Sequence, residues 1–144
     1  MQKVFTSIVF IGIVCNGLFA QLYFKNNKSQ TYKVAYVFHD KGSQYSGWIS
    51  KGWVVVQPGE QVKAFYTNPR DKDMYCIAIS ESDTIGGDFC FLVHPTVNDF
   101  TLKYPELETT QQQNPALEWM NFKEIKRNYV VKFKQKLVIT IGDE

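Results

Sequence analysis

Few side chains in this sequence could do acid–base, nucleophilic or metal chemistry, and they are scattered. The two histidines, His39 and His94, each fall at the end of a predicted strand. Asp40 follows His39, but neighbouring residues of a strand face opposite ways, so adjacency does not make a His–Asp pair. No serine or cysteine sits in a nucleophile-elbow or cysteine-protease pattern. Asp83 and Asp88 flank Gly86-Gly87. Two carboxylates can bind calcium or hydrolyse a glycoside, yet the spacing fits no EF-hand and turn chemistry accounts for both. No catalytic residue, metal or cofactor is assigned.

The cysteines offer redox chemistry instead. Cys15 lies in the leader described below, which leaves Cys76 and Cys90 as a pair. In an oxidising compartment such a pair is expected to form a disulfide, with free structural thiols as the alternative. Zinc would need two further ligands, and His39 and His94 lack a finger-like spacing. A hairpin register that sets Cys76 directly opposite Cys90 would permit the bridge.

Aromatic side chains supply the remaining chemistry, which is binding. Trp48, Trp53 and Tyr45 are the candidate binding residues, with Tyr66 and Tyr75 adding to the aromatic content. Aromatics on strands are mostly core, and exposed ones stack on sugars or anchor a partner protein. Trp48, beside Gly47 and the polar Tyr45-Ser46, is the one expected to reach the surface.

Strands must position these residues. Pro58-Gly59 predicts a type II turn over 57–60, with the positive φ falling on Gly59. Before it, residues 54–56 form an apolar β-branched run expected to be covered on both faces. After it, residues 62–67 alternate and return as the second arm of a hairpin. Residues 22–25 make a first strand. Residues 31–39 make a central one, with Tyr32, Val34, Tyr36 and Phe38 on one face and Ala35 and Val37 on the other. Further strands are expected over 74–80, 89–94 and 100–104, with 81–88 as a connector. Residues 105–115 read as a polar, Gln-rich connector. Asn114-Pro115 has helix-start chemistry, so residues 116–126 are helix or strand. The alternating segments 129–133 and 137–141 close the chain. Lys132, Lys134 and Lys136 share one face, either as edge protection or as a surface for acidic partners.

Composition bounds the rest. Residues 1–20 carry one charge, Lys3, ahead of an apolar run over 4–14 that is too short for an ordinary span of about 20 residues. They read as a secretory signal peptide cleaved after Ala20, with an uncleaved anchor as the alternative; Val14 ahead of Cys15 speaks against lipid attachment. The whole chain of 144 residues has a net charge of +2, and losing Lys3 brings it closer to neutral. Nucleic acid is not an expected partner. Membrane contact is expected only through an uncleaved leader.

Several pieces together resemble the bacterial "domain of unknown function 1036" group. They are Leu22-Tyr23-Phe24-Lys25-Asn26-Asn27-Lys28, Val34-Ala35-Tyr36, Gly47-Trp48-Ile49-Ser50-Lys51-Gly52-Trp53 with Pro58-Gly59-Glu60, the strand from Tyr75 to Ser80, and Phe89-Cys90-Phe91-Leu92-Val93-His94-Pro95. The likeness covers about residues 22–103. Members often carry cysteines near the places held here by Phe24 and Gln61. The resemblance implies export or membrane association and no established activity.

The expected architecture is all-β: an antiparallel sandwich, immunoglobulin-like or jelly-roll-like, over 21–104. The connector over 105–115 and a C-terminal extension over 116–144, packing on the sandwich, follow it. The expected function is a non-catalytic binding or interaction module of the bacterial envelope, periplasmic or secreted, with a glycan or an envelope protein as partner. The alternative is a small carbohydrate-active or other hydrolytic enzyme using Asp83 and Asp88. A structural envelope subunit whose oligomer buries the 132–136 lysine face or a free strand edge is a third reading.

Overall fold

The computed structural model describes residues 21–40, 47–65, 73–104, 114–126 and 136–142. The leader 1–20, Tyr45, Tyr66, residues 105–113, the segment 129–133 and the side chains of Lys132, Lys134 and Lys136 lie outside that description. Among the described residues every regular element is a strand, and no helix is long and apolar enough to cross a membrane. The strands are β1 (Gln21–Asn26), β2 (Tyr32–Asp40), β3 (Gly47–Val56), β4 (Gln61–Phe65), β5 (Met74–Ile79), β6 (Thr84–Ile85), β7 (Phe89–Val93), β8 (Phe100–Tyr104), β9 (Glu118–Glu124) and β10 (Lys136–Ile141).

They form two sheets, and the fold is an all-β sandwich. Sheet A is three-stranded, in the order β10-β1-β4; sheet B is seven-stranded, in the order β7-β9-β5-β2-β3-β8, with β6 paired to the far half of β5. One pairing departs from the antiparallel expectation: β1 and β10 run parallel, as the two ends of the chain can without a short turn between them.

Strand β2 is the centre because its sequence is apolar on both faces. Tyr32, Val34, Tyr36 and Phe38 face sheet A and pack with Leu22, Phe24 and Ile141. Ala35 and Val37 face the other way, toward Trp53, Phe91 and Phe122. That second core exists because sheet B curls, carrying β7 over β3, so that one sheet encloses its own apolar face. The Tyr36 phenol crosses the interlayer space and donates to the carbonyl of Ala64 on β4. Burial pushes that phenol well above its ordinary value.

The turn at 57–60 forms as expected: Gly59 has φ 75°, and Glu60 N donates to Gln57 O at 3.0 Å. The hairpin does not. Strand β4 pairs with β1 in sheet A, while β3 stays in sheet B, so the turn is a crossover between the layers. Asn26 is the reason. It is fully buried, and its Nδ2 donates to Val56 O at 3.0 Å and to Gln30 O at 2.6 Å. Its backbone meanwhile accepts from Gly59 N and donates to Glu60 O, which draws the turn away from β3 and onto β1. Val55 is also corrected: it is 44% exposed, because β3 is covered on one face only at that point.

Strand β3 is bulged. Val34 pairs with Val54 and Tyr36 with Lys51, so Gly52 and Trp53 together oppose Ala35. The bulge is crowded there, since a Cβ on Gly52 would lie 3.0 Å from Ala35 Cβ and 3.1 Å from Phe100 Cε1.

Residues 114–126 resolve to a turn and a strand. Ala116 N donates to Asn114 Oδ1 and Leu117 N to Asn114 O, so the helix-start chemistry is used for one turn only. Strand β9 then runs between β5 and β7. Its Phe122 is fully buried inside the curl, a demand that alternation meets and a helix would not.

Candidate functional site

At one end of the curled sheet, ring side chains from five strands meet. His39 on β2 pairs with Trp48 on β3, and the rings lie edge to face at 4.7 Å and 76°. Trp48 continues to Phe91 at 5.0 Å and to Tyr75 of β5 at 5.9 Å. Tyr75 contacts Phe91 and Phe89 of β7, each at 4.8 Å. Phe91 ends on Phe122 of β9 at 5.5 Å and 88°. Tilted and edge contacts suit the ring quadrupoles and contribute about 0.5–1.5 kcal/mol each beyond burial.

Exposure rises along this series. Phe122 and Phe91 are core, Trp48, Tyr75 and His39 are half-buried, and Phe89 is 44% exposed. Two acids border it. Glu124 is exposed directly opposite Tyr75, and so shares its face. Asp73, also exposed, accepts from His39 N through its carbonyl at 3.1 Å. His39 Nδ1 is enclosed and has no hydrogen-bond partner among the described residues, a state that costs about 1–3 kcal/mol. Aromatic faces beside carboxylates can stack on an apolar ring face and accept hydrogen bonds from hydroxyls at its edge. Strand ends Asp40, Gly47, Met74 and Tyr104 all gather here, as their pairings require. Sandwiches commonly carry recognition at such an end.

The structure distributes the expected site residues unevenly. Trp48 is in the series. Trp53 is not; it is 9% exposed, its Nε1 donates to His94 O at 3.0 Å, and its ring packs on Phe100, so it is a core residue. Tyr45 lies outside the described residues. Asp83 is engaged structurally: its Oδ2 accepts from Tyr32 OH at 2.6 Å, and its backbone closes a turn with Ser80. That hydrogen bond, then burial, raises the Tyr32 pKa. Asp88 is exposed in the connector.

The Cys76–Cys90 disulfide is corrected. Both thiols are free, because β9 separates them. Cys76 pairs with Lys123 and Cys90 with Asn121, which places two inter-strand spacings, about 10 Å, between them. A disulfide tolerates a Cα separation of only about 7 Å.

Sequence reasoning missed Phe89, Phe91, Glu124 and the pairing of His39 with Trp48. Phe89 and Phe91 alternate on one face, which is a signal, but only the closure of the curl brings them to Tyr75. Among the described residues no group of three or more His, Cys, Asp and Glu side chains is placed to hold a metal ion. No family model matches the chain, and no curated protein or solved structure is significantly similar to it.

Proposed function

We propose that the protein is an exported, non-catalytic binding module of the bacterial envelope whose aromatic end takes a glycan. The observation carrying this reading is the continuous ring series from buried Phe91 through half-buried Trp48 and Tyr75 to exposed Phe89. A rigid stacking surface bordered by Glu124 and Asp73 matches a sugar, which has an apolar face and hydroxyl edges. Export rests on the leader pattern over 1–20. Kinship with the "domain of unknown function 1036" group is part of the same proposal and rests on the Gly47–Trp53 and Pro58–Glu60 pieces.

The test is a titration of envelope polysaccharide fragments followed by tryptophan fluorescence. Phe89→Ala, which removes an exposed ring and leaves the core intact, should weaken binding about threefold to tenfold. Trp48→Ala should weaken it at least as much. Equal affinity in both variants would sink the reading. One observation favours the alternative of a small carbohydrate-active or other hydrolytic enzyme: Glu124 shares the face of Tyr75 on the platform, whereas Asp83 is tied to Tyr32. Glycoside turnover lost in Glu124→Gln would replace binding with hydrolysis.

A further inference from the structure

A cleft of about 880 Å³ opens between the two sheets, on the opposite face of β5 and β9 from the aromatic end. Its size falls in the usual range for small-molecule sites, about 300–1,000 Å³. Sheet A contributes Phe24, Ile139 and Ile141; sheet B contributes Val34, Ala78 and Ile85. Cys76 completes the floor. Burial pushes its thiol up to about 12, so it is neutral and behaves as a small apolar side chain.

The charged lining residues are Lys28, Asp83, Lys123, Glu124 and Lys126. Lys123 stands directly opposite Cys76, and residues paired across a ladder share a face, so its side chain is on the cleft side. Lys28 comes from the sheet A side with its stem laid on Gly142, where an added Cβ would meet Lys28 Cε at 2.9 Å. No ion pair joins Lys28 or Lys123 to another described residue. Two acids, Asp83 and Glu124, also belong to the lining, and each is engaged away from the lysines. Asp83 is held by Tyr32 OH at 2.6 Å, and Glu124, paired with Tyr75, faces the aromatic side.

A cleft with apolar side chains on its floor and Lys28 and Lys123 on either side of its mouth suits an amphiphilic anion. We propose that this cleft binds a free long-chain carboxylate, its aliphatic tail against the half-buried Cys76, Ile85 and Ile139 and its carboxylate between Lys28 and Lys123. The inference is independent of the aromatic end and stands or falls without it.

Calorimetric titration of the full chain with octanoate, decanoate and dodecanoate, below their micellar concentrations, tests it. Saturable one-to-one binding is expected, tightening by up to about fourfold for each added methylene. Lys28→Gln and Lys123→Gln should each weaken dodecanoate about tenfold, the worth of one charge-assisted hydrogen bond. Dodecanol should bind more weakly than dodecanoate. Lys33→Gln, an exposed lysine of β2 outside the cleft, should change nothing. All three lysines are exposed, so these variants fold, and circular dichroism confirms it. Uptake without saturation, no dependence on chain length, dodecanol equal to dodecanoate, unchanged affinity in both Lys28→Gln and Lys123→Gln, or an equal loss in Lys33→Gln would each overturn the proposal.

Discussion

Asn26 does more for this fold than any residue with conspicuous chemistry. Its amide is enclosed and satisfied by Val56 O, Gln30 O and Lys28 N, and it ties the end of β1 to the crossover turn. Asn26→Leu preserves volume but orphans the buried Val56 O, worth about 1–3 kcal/mol when left unpaired. A drop in urea-unfolding free energy of at least that size is expected, with the slope unchanged. A loss under 0.5 kcal/mol, the ordinary ceiling for a neutral surface change, would count against this role. Residue types alone pointed elsewhere, to His39, Asp83 and the cysteines. Asp83 proved to be a hydrogen-bond acceptor for Tyr32, and Trp53 an anchor on His94 O. Side chains singled out for chemistry are engaged in the fold's own hydrogen bonds, Asp83 as acceptor and Trp53 as donor.

At the scale of elements, β3 and β9 decide the geometry. The bulge at Gly52 lets Trp48 and Trp53 fall on one face of β3, although their odd spacing in a regular strand would set them on opposite faces. Gly52→Ala forces a methyl against Ala35 and Phe100 and should cost about 1–3 kcal/mol by overpacking. Thermal unfolding of that variant should show a lowered midpoint, and pairing it with Phe100→Leu should restore part of the loss. Full additivity of the two substitutions would contradict the packing account. Strand β9 is the element least legible in the sequence. Asn114-Pro115 carries helix-start signals, and Phe122 and Met120 alternate like a strand; the vacancy between β5 and β7 selects the strand.

For the molecule as a whole, the insertion of β9 means that oxidation does not staple the fold. Cys76 and Cys90 should both alkylate in the unfolded chain. In the folded chain at pH 8, exposed Cys90 should label first and Cys76 slowly, since burial raises its thiol from 9.0 to about 12 and the thiolate is the reactive form. Peptide mass mapping reads both, and the melting temperature should not move when reductant is added. A bridged Cys76–Cys90 peptide would mean that β9 does not lie between these strands. Because the thiol pKa is raised in the folded state, its contribution to stability is full below pH 9 and is lost as pH climbs toward about 12.

Local rules carried the sequence a long way. Alternation with apolar residues on both faces identified β2 as central, and Pro58-Gly59 determined a turn with positive φ at Gly59, because both effects are confined to a few neighbouring residues. They also placed Trp48 near a surface. What the turn connects is a non-local matter, decided when Asn26 captured it for sheet A. The same holds for the partner of each cysteine, set by a strand that arrives from far along the chain, and for the ring series from Trp48 to Phe89. Strand pairing depends on which edges remain free once the other strands have packed, and only the assembled sheets contain that information.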